Sequence, residues 1–398
     1  MKFDAVIVGA RCAGAAMALL LARAGARVLV VDKGVYGSDT VSTHALMRGA
    51  VLQLHQWGIL PAIVAAGTPP VQSTTFSYRQ QDVMVPIEPK YGVGALYAPR
   101  RTLLDRVLVD AARAHGAEFR YGVRIDDVIQ DVGGRVCGID AAVGGTRERI
   151  AAEIIIGADG LYSTIAQRVG AERVLEGRHA TGVLYSYWEG LPVDGYYWKF
   201  QTDASIGIIP TNGGATCVFA SIPAERFREE ARGNAASAYR RLIRLASPSF
   251  DARLDEARQV EPVRGFGGHI GFLKRGAGPG WALVGDAGYF KDPLTAHGIT
   301  DALRDARLLA RAIVRGTAAA FADYETMRRD LSQRLFELTD EIASFAWSDS
   351  EVQVLHRAFS SEMSREVRAL AALEPLPAYH RRPTGRLKAT PMSAAHVA

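Results

Sequence analysis

The feature that most limits what this chain can fold into lies within its first 32 residues. Ala5 to Val8 is a wholly apolar run with β-branched residues, which reads as a strand buried on both faces of a parallel sheet. Gly9-Ala10-Arg11-Cys12-Ala13-Gly14 follows, then Ala15 to Ala24 with helical composition, closed by Gly25. Arg27 to Val31 reads as a second buried strand, ending on Asp32. Strand, glycine turn, helix and strand in this order form one βαβ unit of about 30 residues. The first glycine permits the tight turn and the last lets helix and strand pack closely. The helix N-terminus offers unpaired N–H groups and partial positive charge to a pyrophosphate. Asp32 closes the second strand about 20 residues on, where an acid accepts from ribose hydroxyls. Arg11 stands where the middle glycine of this pattern normally falls, and its guanidinium is expected to lie on a phosphate instead.

Three later motifs extend this reading. Arg101-x-x-Leu104-x-x-x-Leu108 opens an amphipathic helix running to Gly116, although an arginine in a first helical turn opposes the helix dipole. The apolar strand Ile154 to Ile156 runs into Gly157-Ala158-Asp159-Gly160, a sharp turn at the edge where open α/β sheets bind ligands. Trp281 to Val284 is a further buried strand, ending in Gly285-Asp286-Ala287. Pro293 follows, and then His297-Gly298-Ile299-Thr300 opens a helix. Gly298 allows a flat group to approach the backbone, and the N–H groups beyond it are placed to stabilise negative charge on a heterocycle.

Elsewhere the chain changes character. Thr74 to Pro89 and Thr181 to Pro223 alternate like antiparallel strands, with a turn at Asn212-Gly213-Gly214. Ala231 to Leu245 reads as helix, Val260 to Leu273 as strand, and the chain is mostly helical from Gly298 to about residue 373. The fold class is therefore α/β: a Rossmann-like dinucleotide domain with an inserted antiparallel β-sheet domain and a C-terminal helical segment. The dinucleotide domain takes residues 1–75, 95–178 and 274–335, and the inserted sheet residues 76–94 and 179–273. The C-terminal helices take 336–375 and a tail 376–398. Within the inserted sheet, a subset of Tyr185, Tyr187, Trp198, Phe200, Ile208 and Phe219 is expected to form the apolar wall of a substrate pocket. His44 and His297 are candidate proton donors to substrate or cofactor. Gly265-Phe266-Gly267-Gly268-His269-Ile270-Gly271 looks like a second fingerprint but leads into strand-like sequence, so it is rejected.

Charge and cysteine usage exclude several classes. A net charge of +5 spread over 398 residues does not point to nucleic acid. Three widely separated cysteines, Cys12, Cys137 and Cys217, build neither a disulfide framework nor a zinc site, and a reducing cytoplasm is the natural compartment. Cys12 precedes a helix start, yet a packing role is expected of it. The apolar run from Met17 to Val31 is broken by Arg23 and Arg27, so it is neither signal peptide nor membrane span. Arg381, Arg382, Arg386 and Lys388 form a basic, solvated tail.

In this order and at these spacings, the four motifs resemble the FAD-dependent monooxygenases of the para-hydroxybenzoate hydroxylase type, over nearly the whole chain to about residue 335. The resemblance implies FAD as cofactor. Gly9 to Gly14, with Arg11, Cys12 and Ala13, would hold the pyrophosphate, and Asp32 with Lys33 the adenosine ribose. Arg101 would reach the cofactor's linker and Ile125 would lie by the adenine. Asp159 and Gly160 would support the place where cofactor and nicotinamide converge. Asp286 would bind the ribityl chain, Pro293 would lie beside the flavin's reactive edge, and Gly298 and Ile299 under its pyrimidine ring. The family pattern has Arg where Ala166 stands and Asn where Thr300 stands. The runs Ser38-Asp39-Thr40 and Ser42-Thr43-His44 look more like the geranylgeranyl reductase-related branch.

The function expected on this basis is hydroxylation or epoxidation of a small apolar aromatic or olefinic metabolite through a flavin C4a-hydroperoxide. NADH or NADPH would serve as reductant and molecular oxygen as co-substrate. No separate nicotinamide domain is apparent, so the reductant would visit the FAD site, or a flavin reductase would deliver the electrons. The alternatives are saturation of a carbon–carbon double bond, halogenation, and flavin binding without catalysis. The paired-tryptophan motif of halogenases is missing, since Ser205-Ile206-Gly207-Ile208-Ile209 stands before Pro210. No metal is expected, and the oligomeric state stays open.

Overall fold

The structure is a computed structural model and describes residues 2–79 and 81–380. The basic tail lies outside the described residues.

The first sheet is built around strand Phe3–Val8, which pairs in parallel with Val28–Asp32 on one side and Thr146–Gly157 on the other. Glu118–Tyr121 extends it beyond Val28–Asp32, and Trp281–Leu283 beyond Thr146–Gly157. Val6, Ile7, Leu29, Val30, Ile155 and Ile156 are fully buried, as runs without polar alternation require. Helix Cys12–Arg23 packs on this sheet and against helices Arg101–Ala114 and Gly298–Arg315. It starts before Ala15, because Ala15 N already donates to Arg11 O. Strands Val123–Gln130 and Val136–Val143 add an antiparallel flap to Thr146–Gly157.

A second sheet has the strand order Arg258–Gln259, Thr181–Glu189, Thr216–Pro223, Ser205–Pro210, Tyr196–Phe200, Ser73–Ser77, Asp82–Pro86. It begins at Ser73, inside the stretch assigned above to the dinucleotide domain. The side-chain period of two divides it into faces. Tyr185, Tyr187, Trp198, Phe200 and Phe219 point into the core shared with the first sheet. Ile208 pairs with Val218 and points the other way, into a separate core against Leu242 and Ile243 of helix Ala235–Ala246. Ile208 therefore does not belong to the expected pocket wall. The Phe219 ring lies over Gly207 on the neighbouring strand, where a Cβ would stand 2.0 Å from its Cε1.

The expected helix 231–245 starts later, as Ala235–Ala246, and a separate helix, Ala224–Glu230, precedes it. Gly233 breaks the run with φ +89°, and Asn234 caps the second helix by accepting from Ala236 N and Ser237 N. The expected strand 260–273 shrinks to Arg264–Phe266 and Phe272–Lys274, separated by the glycine-rich segment. No helix follows that segment, in keeping with its rejection as a fingerprint. Three helices complete the described chain, Gly298–Arg315, Ala318–Ala343 and Asp349–Ala371. Gly316 ends the first in the left-handed region, and Ser348 with Glu351 forms a capping box on the third. No described helix is long and apolar enough to cross a membrane.

Gly207→Ala is expected to destabilise the protein by about 1–3 kcal/mol through overpacking against Phe219. Adding Phe219→Leu should recover part of the loss. Thermal unfolding of the four proteins in this cycle checks it, and purely additive losses would mean that the ring does not depend on Gly207.

Candidate functional site

A cavity of about 1640 Å³ runs along the carboxyl edge of the parallel strands, from Asp32 at one end to Tyr185 and Phe266 at the other. Ordinary small-molecule pockets hold about 300–1,000 Å³, so there is room for a large cofactor and a second molecule.

The first glycine turn shapes one wall by leaving no room for side chains. Gly9 has φ +108°, and a Cβ there would stand 2.3 Å from Ala158 O. A Cβ on Gly14 would fall 1.8 Å from Gly9 O, so Gly14 works behind the cavity wall, where helix and strand meet. No side chain caps helix Cys12–Arg23, and Cys12 and Ala13 in its first turn line the cavity.

Arg11 lies on the wall and reaches sideways. Its guanidinium donates to Ser38 O at 3.2 Å and Asp39 O at 3.0 Å, and meets Asp105 Oδ2 at 3.4 Å. Arg101 is buried, donates from Nη2 to both oxygens of Asp105 at 3.1 Å, and reaches Cys12 Sγ at 3.6 Å. The opposing dipole is thus answered by Asp105 one turn on. Burial pushes the Cys12 thiol up to about 11, against the pull of Arg101, so it stays protonated and packs.

The three motif acids differ in state. Asp32 accepts from Ala10 N at 2.7 Å and from Gly34 N at 2.6 Å, with Lys33 next to it on the wall. Asp159 accepts from Ser163 Oγ at 2.5 Å and from the N–H groups of Thr164 and Ile165, fastening the turn that carries Gly160. Burial raises its pKa, and these hydrogen bonds oppose the rise. Asp286 is exposed, and its open side is the cavity. The protein around it still desolvates the carboxyl and pushes it up to about 6, with Arg101 opposing and Asp301 and Asp305 adding to the rise. No hydrogen bond from another described side chain engages Asp286.

Pro293, Gly298 and Ile299 lie together on the wall, where helix Gly298–Arg315 begins. A Cβ on Gly298 would meet nothing within 4 Å, so open space lies over that backbone. Ala296, between Pro293 and Gly298, is held in the left-handed region at φ +50°. Ile125 lines the opposite end, with Arg124, Arg147 and Arg149. A cradle free of side chains, an uncapped helix end and an acid open only to the cavity are what FAD needs from a protein. The residues present fit that cofactor.

The other end is apolar, with Val41, Val183, Tyr185, Phe266 and Phe290 on the wall. Tyr185 Oη accepts from Ser42 N at 3.2 Å, which leaves its own proton free to donate. His44 also lines the cavity, held in the left-handed region at φ +48°. Its Nε2 lies 3.0 Å from Tyr187 Oη, and the two rings are parallel within 6°. Burial, aided by Arg100 and Arg101, pushes His44 down to about 3, so it is neutral at neutral pH. Arg100 stacks on the other ring of this pair, Tyr187, at 3.7 Å and pairs with Glu261 at 2.6 Å. Asp39 accepts from Arg264 Nη1 at 2.7 Å and lies 3.5 Å from Arg100 Nη2.

Two expectations are corrected here. Of the proposed aromatic wall, Tyr185 lines the cavity, whereas Tyr187, Trp198, Phe200 and Phe219 stand behind it in the core. The C-terminal helices cover that part of the sheet, with the His356 ring 4.1 Å from Phe200 and Trp347 beside it. His297 is buried and turned away from the cavity, with Nδ1 2.9 Å from Lys291 Nζ and Nε2 2.9 Å from Glu366 Oε2. At the helix start its ring faces helix Asp349–Ala371 and not the cavity. Lys291 takes its place on the wall. A lysine directly after the apolar Tyr289-Phe290 and before Asp292-Pro293 is the signal that marks it. His297, Asp301 and Glu366 are of metal-ligating type, but Lys291 and Arg304 already supply their positive charge.

Comparison with known proteins agrees with this geometry. The protein called menaquinone reductase from Mycolicibacterium smegmatis is 29% identical over 366 residues, 86% of this chain and 84% of that one. Protein FixC of Escherichia coli is 32% identical over 239 residues, and the chain spans about half of its length (50%). Among solved structures, the flavin-dependent brominase Bmp2 superposes with a TM-score of 0.78 at 20% identity, covering 93% of this chain and 94% of that one. PqsL, a probable FAD-dependent monooxygenase from Pseudomonas aeruginosa, gives 0.75 at 20%, covering 92% of this chain and 100% of its own. At such identities the two superpositions speak for the fold alone. The profile of the family described as FAD binding domain matches residues 2–339. By that match over most of its length, the chain belongs to the family described as FAD binding domain.

Proposed function

We propose that this protein is an FAD-dependent monooxygenase that hydroxylates or epoxidises a small, apolar aromatic or olefinic molecule. The observation that carries this reading is the continuity of one cavity. It joins the glycine turn and Asp286 to an apolar end chamber walled by Val183, Tyr185, Phe266 and Phe290, with Pro293 and Gly298 between them. Bound FAD would supply the activation of dioxygen. Gly9, Arg11, Cys12 and Ala13 would form its pyrophosphate site, with Gly14 packing helix to strand behind them, Asp32 and Lys33 its ribose site, and Arg101 its linker contact. Ile125 would lie at the adenine, Asp159 and Gly160 at the entry of NADH or NADPH, and Asp286 at the ribityl chain. Ile299 would lie with Gly298 beneath the ring system. The apolar chamber excludes water from the reacting atoms. His44 stays neutral there, and the Tyr185 hydroxyl donates to a substrate oxygen. The free cysteines support a reducing, cytoplasmic place of action.

A second reading, saturation of a carbon–carbon double bond, draws on the same Tyr185 proton and on the likeness to menaquinone reductase along most of its length. Turnover of the holoenzyme with NADPH, isotopically labelled dioxygen and a panel of phenols and alkenes separates the two. A product carrying one labelled oxygen is expected. A product that gains two hydrogens without oxygen, formed also under anaerobic conditions, would replace oxygenation by reduction.

Two further outcomes belong to this reading. Tyr185→Phe should leave FAD affinity unchanged and lower kcat by about 10²-fold, the scale of a lost proton donor. A wild-type rate would remove Tyr185 from the chemistry. FAD affinity should also depend on pH through Asp286. Ribityl hydroxyls that donate to the ionised carboxylate lower its pKa, so binding releases a proton wherever the apo carboxyl, raised to about 6, is protonated. FAD should therefore bind more weakly at pH 5 than at pH 7.5, levelling off above about 6. Asp286→Asn should flatten this dependence in fluorescence titrations of the apoprotein.

A further inference from the structure

A buried ionic cluster lies behind the wall formed by Pro293 and Gly298. Lys291 Nζ meets Asp301 Oδ2 at 2.5 Å and His297 Nδ1 at 2.9 Å. Arg304 bridges Asp301 Oδ1 at 2.7 Å, Glu366 Oε1 at 2.8 Å and Asp305 Oδ1 at 2.9 Å. Arg328 continues to Asp305 Oδ2 at 3.0 Å and donates to Lys274 O. The charged side chains in this chain are at most 3% exposed. His297 Nδ1 also lies 3.3 Å from Asp301 Oδ1; burial and Lys291 push its pKa down, but Glu366 and Asp301 outweigh them and raise it. Besides His297, three cations, Lys291, Arg304 and Arg328, face three anions, Asp301, Asp305 and Glu366. The other groups against Lys291 and His297 are the Tyr289 ring at 5.4 Å and the Phe359 ring at 5.9 Å, with Asp286 coupled to Lys291 across the wall.

His297 apart, the cluster's charges balance in number but not in position. Of its charged members, Lys291 is the one on the cavity wall among the described residues, while Glu366 lies at the far side on helix Asp349–Ala371. Lys291 is thus the cluster's cation on the cavity side, its ammonium paired with Asp301 at 2.5 Å, while Arg304 and Glu366 are set further back. In a medium of low polarisability, such an asymmetry acts strongly on any new charge placed nearby. Delivery of two electrons and one proton to a cofactor in the cavity adds one negative charge there.

We propose that Lys291, oriented by Asp301 and His297, is a positioning residue that sets the reduction potential of the bound flavin by favouring its reduced, negatively charged state. Glu366 opposes it from the C-terminal helix. The inference needs FAD in the cavity, as the family match requires, and it is the same for oxygenation and for double-bond reduction.

The test is the two-electron midpoint potential of the FAD-loaded protein, measured by dithionite titration against an indicator dye at fixed pH. Lys291→Gln should lower it by about 30 mV or more, the equivalent of a tenfold loss of preference for the reduced form. Glu366→Gln, which leaves the cluster one charge more positive, should raise it. Lys291→Arg should stay near the native value. Structural damage alone does not move two substitutions in one cluster in opposite directions. Unchanged potentials in Lys291→Gln and Glu366→Gln, or shifts of the same sign, would overturn the proposal. If Lys291→Gln fails to hold FAD, Glu366→Gln decides: an upward shift supports the proposal, and an unchanged or lowered potential overturns it.

Discussion

The site depends on a contact between three stretches of bare backbone. Gly9, Gly14 and Ala158 approach so closely that a single Cβ on either glycine would overlap a carbonyl oxygen. That approach puts the carboxyl end of strand Phe3–Val8, the start of helix Cys12–Arg23 and the Asp159 turn at one edge. The cavity is what remains above them. Its depth comes from what the backbone leaves out, and its charge from what is set at the rim: Asp32, Arg101, Asp159 and Asp286. Removing the close approach would separate helix from strand and with it the uncapped N–H groups from the opposite wall.

Much of this was legible because dinucleotide sites are written locally. A strand, its turn and its helix are neighbours in the chain, so spacing joined Gly9 to Asp32, and the family resemblance added Asp159, Asp286, Pro293 and Gly298; all of them line one cavity. What was not legible depends on packing between distant segments. Ile208 and Phe219 carry the same apolar signal, and the register of their strands sends them to opposite faces. Trp198 and Phe200 face the interior as expected, but they stand in the core behind the cavity, with His356 of the last helix and Trp347 before it packed on Phe200. His297 sits beside the expected flavin turn in sequence, yet its ring direction is fixed by Glu366, 69 residues away in number and 2.9 Å away in space. Lys291 carries a local signal, a lysine between Tyr289-Phe290 and Asp292-Pro293, but its pairing with Asp301 is a contact that sequence does not show.

The buried charges show how unequal polar groups can be under similar burial. Arg101 and Asp105 form a closed pair that stiffens a wall. Asp292 is buried and accepts from Thr181 N and Thr181 Oγ1, joining the turn before Pro293 to strand Thr181–Glu189 of the second sheet. Asp105 and Asp292 are satisfied and structural. Arg101, the exposed Asp286 and Lys291 differ because each lines the cavity, where incoming chemistry can still change its surroundings.

The loop from Ser38 to His44 has a different kind of consequence. At one end Arg11, on the glycine turn, holds it by the carbonyls of Ser38 and Asp39. Its middle is pinned to the second sheet through Asp39 and Arg264, and its far end touches Tyr185 and Tyr187 through Ser42 and His44. The glycine turn and the apolar wall thus share one mechanical strut. A phosphate that draws the Arg11 guanidinium toward itself loosens the strut at its root, and a ligand that shifts Tyr185 or His44 pulls on it from the tip. Thermodynamic reciprocity then requires that whatever the first event does to the affinity of the second, the second does equally to the first. The empty protein and the loaded one are, in this respect, two different receptors.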